Sequence, residues 1–204
     1  MKALFRKDIY VLSTSLKSVI LIWAVFPVVA AINPAASYFI VYVGLMAGTL
    51  SSTLISYEDK EKWPVFAGTL PISRKQIVAE RYLFTLLLVA LSTVIGGIVL
   101  LSYSLRGLAK YATPSLLVQT FSTALVMPSL LLPVTYRYGV EKGRYLVMFL
   151  VIGLSLGSQA LTVLFTGEKS GQGLTLPLIV IGCLVLFAVS YLVSVKWYQD
   201  HDIS

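Results

Sequence analysis

Long apolar blocks alternate with short polar breaks along this chain. Six blocks have the length and composition expected of membrane-spanning helices. They run from about Ser18 to Ile32, Ala36 to Tyr57, Tyr82 to Leu105, Pro114 to Tyr136, Tyr145 to Phe165 and Leu176 to Val195. The first is short and is expected to begin nearer Leu16, with Lys17 reaching back to the interface. "NPAA" at 33–36 makes the turn after it, and Pro128 and Pro133 are expected to kink the fourth. Ahead of the first block, Phe5, Ile9, Leu12 and Leu16 recur three or four apart, with Lys2, Arg6, Lys7 and Asp8 mostly elsewhere around the wheel. That spacing predicts an amphipathic helix over residues 1–17 lying on a membrane surface; a frayed basic leader is the alternative. Asp8 and the length of this leader argue against a cleaved signal peptide, despite "VVAA" at 28–31. The fold class is an all-α membrane protein.

Composition agrees. Of 204 residues, 57% are hydrophobic and 12% charged, half the charged share of an ordinary soluble domain (about 25%). One transmembrane domain, residues 1–204, accounts for the chain and leaves no stretch for a soluble catalytic unit. The net charge of +7 is explained by orientation rather than by nucleic acid. With the N-terminus inside, thirteen Lys and Arg fall on the cytoplasmic side and only Arg106, Lys110 and Lys169 outside. Basic residues stay inside, so both termini are predicted to be cytoplasmic. The lone cysteine, Cys183, sits in an apolar run and is read as a small core residue.

One cytoplasmic stretch stands apart. Residues 56–82 read "SYEDKEKWPVFAGTLPISRKQIVAERY", with nine charged residues around Trp63 and Phe66. Glu58, Asp59 and Glu61 leave the second span; Pro64 suits a first helical turn; "LP" at 70–71 stops it. Ser73 with Gln76 three residues later is a capping-box pattern that starts the third span. The loop is thus a helix end, a short transverse helix, a proline stop and a capped start. Trp63, Phe66 and Leu70 form an aromatic and apolar centre with a charged rim, as protein docking surfaces do. Insertion of the same aromatics among lipid headgroups is the other outcome.

Several chemical motifs fail. "GLSLG" at 153–157 matches G-x-S-x-G, but the serine lies within an apolar helix and the only histidine, His201, is in the tail. "TGEKSG" at 166–171 has Glu168 and Val163 where a phosphate-binding loop needs glycines. "DHD" at 200–202 is three adjacent residues of a tail, not a closed metal site. No metal or cofactor is expected in the chain, and it is not expected to be an enzyme. Gly44 and Gly48, and Gly153 and Gly157, are spaced four apart and allow close helix approach, within the chain or across a dimer. The spans hold almost no ionisable residue, against ion- or proton-coupled transport. Their polar groups, among them Ser51, Ser52, Thr53, Ser155, Ser158 and Gln159, either line a mildly polar substrate path or bond between helices.

The order of acidic cluster, Trp63, "LP", Ser73-Arg74 and "RKQIVAERY", behind a surface helix and within six spans, resembles the small permeases of ABC-2 type (type V) ABC exporters. Size and general pattern are similar to permease subunits of Gram-positive bacterial exporters for antimicrobial peptides and phenol-soluble modulins. The resemblance implies a permease dimer, of identical or related copies, in the bacterial cell membrane. It implies a separate cytoplasmic ATPase that holds ATP and Mg, and export of a hydrophobic or amphipathic substrate such as a peptide. It makes residues 58–76 the coupling region. Trp63, Phe66 and Leu70 are then the coupling element, with Glu58, Asp59 and Glu61 before it and Pro71 and Arg74 after it. The outer segment between spans five and six is only "TGEKSGQG", shorter than in larger members, so no external gate is expected. A membrane enzyme acting on lipid, drawing on Glu58, Asp59 and Glu61, and a non-transporting scaffold are the alternatives.

Overall fold

The computed structural model describes residues 2–15, 17–61, 63, 66, 73–111, 113–139, 142–143, 145–146, 148 and 172–200. Six α-helices account for most of these: α1 (Lys2–Ser15), α2 (Lys17–Ile32), α3 (Phe39–Lys60), α4 (Arg74–Leu105), α5 (Pro114–Tyr138) and α6 (Gln172–Asp200). Pro34–Lys60, Arg74–Leu105, Pro114–Tyr138 and Ile179–Tyr198 are long and apolar enough to cross a membrane. They correspond to the second, third, fourth and sixth expected spans. The first is α2, whose 16 residues extend about 24 Å at 1.5 Å per residue, short of a hydrocarbon core of about 30 Å. Most of the fifth expected span lies outside the described residues.

The end of α2 shows how tertiary contacts repair a helix terminus. Pro34 has no N–H, so the carbonyl of Ala30 loses its intrahelical donor. The Tyr103 hydroxyl, fully buried, donates to it instead. The next carbonyl, Ala31, also lacks its partner, because the Ala35 N–H is taken by the Asn33 side chain at 3.1 Å. Arg106 Nη1 donates to Ala31 O at 2.8 Å. Two residues of the α4 C-terminal region thereby hold the α2 end.

The helices pack through small residues. Gly44 and Gly48 of α3 face α5 of the same chain: a methyl group at Gly44 would stand 2.5 Å from Thr120 O, and one at Gly48 would stand 2.9 Å from Ala124 O and Pro128 Cδ. Pro128 and Pro133 lie inside α5, which continues through both. Pro128 cannot donate to Ala124 O, so the carbonyl freed by this proline lies against the glycine seam. The predicted capping box is present. Ser73 Oγ accepts from Gln76 N–H at 3.3 Å, and Gln76 Oε1 accepts from Ser73 N–H at 3.1 Å. α6 leans on α4 through Tyr82, whose hydroxyl lies 2.7 Å from both Ser190 Oγ and Ser194 Oγ.

One expectation for α1 is corrected. Phe5 and Leu12 pack with Val11 against Ala47, Leu50, Leu54, Phe84 and Leu88, while Ile9 is 56% exposed, as a residue turned to the membrane surface would be. Asp8, expected on the polar side, is 1% exposed and sits on the packed face. It follows Phe5 by three and precedes Leu12 by four, the spacing of one helical face. Leu16 lies outside the described residues.

Candidate functional site

A charged cluster joins α1, the end of α3 and the start of α4. Its centre is Arg81, 2% exposed in a buried stretch of α4 that also includes Val78, Tyr82 and Phe84. Arg81 Nη1 donates to Asp8 Oδ2 at 2.8 Å, and Nη2 lies 2.7 Å from Glu58 Oε1. Lys7 binds the same Glu58 oxygen and lies 3.4 Å from Asp8 Oδ1. Two cations and two carboxylates so placed hold three helices at one point. A buried arginine is tolerable only with such partners: desolvation costs several kcal/mol per ion, and removing one side leaves that cost uncompensated. Burial pushes the Asp8 carboxyl above its ordinary value, against the opposing pull of Arg81 and Lys7.

The cluster continues into the loop after α3. The Lys7 ammonium stands 4.2 Å from the centre of the Trp63 ring, a cation–π distance, and Trp63 meets Phe66 at 5.5 Å between ring centres. Phe66 is 55% exposed. A cleft of about 280 Å³ opens beside them, lined by Tyr10, Val11 and Thr14 of α1 together with Tyr57, Glu61 and Trp63. The arrangement presents an aromatic surface backed by ionic ties to three helices. Among the described residues no group of acidic, histidine or cysteine side chains is arranged to hold a metal ion.

A model described as "ABC-2 family transporter protein" matches residues 3–199. The chain belongs to the ABC-2 transporter family. No curated protein matches it. This ABC-2 protein is a multi-pass membrane protein of a transport family.

The residues expected at the coupling site are distributed unevenly in this ABC-2 chain. Glu58 is held in the ion cluster, whereas Asp59 and Glu61 are exposed. Arg74 Nη1 reaches Tyr198 O of α6 at 3.4 Å. Leu70 and Pro71 lie outside the described residues. Of the polar residues considered for a substrate path, Ser51 is fully buried and bonds Thr85 of α4 at 2.7 Å. Ser52 donates to Thr49 O at 2.8 Å, and Thr53 to the same oxygen at 3.0 Å. Ser155, Ser158, Gln159, Gly153 and Gly157 lie outside the described residues.

Sequence reasoning missed Lys7, Asp8 and Arg81 as site residues. A signal existed. Asp8 interrupts the Phe5–Leu12 face of α1, and Arg81 interrupts the Val78–Tyr82–Thr85 face of α4. A lone acid and a lone base, each on the apolar side of its helix, are natural partners once the two helices meet.

Proposed function

We propose that this chain is the transmembrane permease subunit of an ATP-driven exporter, working with a separate cytoplasmic ATPase that holds ATP and Mg. The observation that carries the reading is the Arg81 cluster. It ties the surface helix α1 to the two spans that flank the loop after α3, so a push on Trp63 and Phe66 reaches α1, α3 and α4 together. Exposed Phe66 is the contact for the ATPase, Trp63 and Glu58 are the links behind it, and Asp59, Glu61 and Arg74 complete the rim. Residues 58–76 form the coupling region, with Leu70 and Pro71 among its contact residues. The chain is one domain of six spans with both termini in the cytoplasm, in a bacterial cell membrane.

Two copies, identical or related, enclose the path, and a hydrophobic or amphipathic substrate, a peptide, moves along it. Support comes from the apolar spans. Among the described residues the buried acidic and basic side chains, Asp8, Glu80 and Arg81, all belong to the charged cluster. Ser51 and Ser52 bond within the α3–α4 pair, so the path would be completed by Ser155, Ser158 and Gln159. Of the three acids a lipid-directed enzyme would draw on, Glu58, Asp59 and Glu61, the first is engaged by Arg81 and Lys7, which leaves that alternative only the exposed pair Asp59 and Glu61.

Co-purification with a co-expressed candidate ABC ATPase tests the docking role. Phe66→Glu should cut recovery about tenfold, equivalent to about 1.4 kcal/mol, while the thermal stability of the permease alone stays unchanged. Undiminished recovery refutes the contact. Stimulation of that ATPase by amphipathic peptides in reconstituted membranes separates an exporter from a scaffold.

A further inference from the structure

The ion cluster does not balance. Lys7 and Arg81 contribute two positive charges. Asp8, Glu58 and Glu80 contribute three negative ones, and Asp8 and Glu80 are only 1% and 2% exposed. Asp8 Oδ1 and Glu80 Oε1 are both buried and accept no hydrogen bond; the Lys7 ammonium stands 3.4 Å from Asp8 Oδ1, and the two carboxyls interact with each other. Two ionised carboxylates cannot bond one another, and an uncompensated buried charge is ordinarily relieved by protonation. Glu58 is the wrong place for that proton, because one of its oxygens already serves both cations. Placed between Asp8 and Glu80, a proton gives the Glu80 oxygen the partner it lacks and neutralises the cluster.

We propose that Asp8 and Glu80 form a proton-binding site, one proton shared between them, which clamps α1 onto α4. The ligand is the proton itself, taken from water on the side where α1 lies. The surrounding groups fix the sense of its effect. Lys7 on α1 and Arg81 on α4 favour ionisation; Glu58 on α3, with exposed Asp59 beside it, opposes it. Tyr136 of α5 interacts with Arg81 and Tyr198 of α6 with Glu58, but ordinary phenols stay neutral between pH 5 and 9. Loss of the proton sets two like charges face to face in a buried site and loosens α1. This inference needs only the present chain and stands apart from the transport reading.

The folded protein then holds one proton that the unfolded chain releases above the ordinary carboxylate range of about 4. Between that value and the higher value of the pair, the unfolding equilibrium constant rises up to about tenfold per pH unit. Above it the rise stops.

The test is infrared spectroscopy on the full chain in lipid nanodiscs, with glutamate ¹³C-labelled at the side-chain carboxyl. At pH 6 the wild type should show one buried, protonated carboxyl that titrates away as pH rises. Its band should move with the label to the extent that Glu80 holds the proton. Glu80→Gln and Asp8→Asn should each remove the band, since either change balances the remaining charges. Each should also flatten the pH dependence of the melting temperature. A wild type without a protonated carboxyl at pH 6 overturns the proposal, as does a band that survives both substitutions. If neither variant folds, the wild-type titration decides alone.

Discussion

Arg81→Gln is the most informative single change. The substitution keeps a polar side chain of roughly similar reach but removes the charge that binds Asp8 Oδ2 at 2.8 Å and Glu58 Oε1 at 2.7 Å. Both carboxylates stay where they are, and Asp8 is nearly without access to water. Breaking a buried pair from one side costs about 3–5 kcal/mol. For a chain of this size, that corresponds to a fall in melting temperature on the order of 10 °C. Lys7 still neutralises Glu58, so the lower part of the range is expected. Asp8→Asn is milder, because Arg81 retains Glu58; it should cost about 2 kcal/mol, the worth of a hydrogen bond to a charged group. The double variant should recover about 1–3 kcal/mol of the summed loss, the coupling expected of residues in direct contact. Thermal unfolding of the purified chain in one detergent, followed by circular dichroism, measures all three. A melting temperature for Arg81→Gln within a degree or two of wild type, or strict additivity of the two changes, would show that the cluster does not join the helices as described.

Two further expectations concern helix packing. Gly44→Ala places a methyl 2.5 Å from the Thr120 carbonyl and should destabilise by about 1–3 kcal/mol, whereas Gly97→Ala, with nothing within 4 Å, should be neutral or stabilise by up to about 1 kcal/mol; equal melting temperatures for the two variants would contradict the α3–α5 seam. Tyr82→Phe leaves Ser190 and Ser194 without their shared partner and should cost about 1 kcal/mol, in the range of hydrogen bonds between membrane helices, read as a lower melting temperature with helix content retained.

The amino-acid pattern alone determined that this is a helical membrane protein, where four of its long helices run, and that Ser73 and Gln76 start α4. Those features depend on contacts within a few residues, or on the bilayer as a solvent that reads hydrophobicity directly. The same local logic isolated the loop after α3, because a dense charge run with aromatics contrasts with the apolar blocks around it. Tertiary structure decided the rest. The helical wheel of α1 set Asp8 mostly on the polar side; packing against α4 reversed that, because Asp8 meets Arg81 there. No periodicity on either helix reveals that pairing, since the two residues are 73 positions apart and each, taken alone, is merely misplaced. Glycine spacing in α3 was legible, but its partner surface on α5 was not. Whether Gly44 faces a neighbouring helix or a second molecule depends on how the helices are arranged around one another. Local sequence sets which elements form; only their three-dimensional meeting tells which of the charges on them can be buried together.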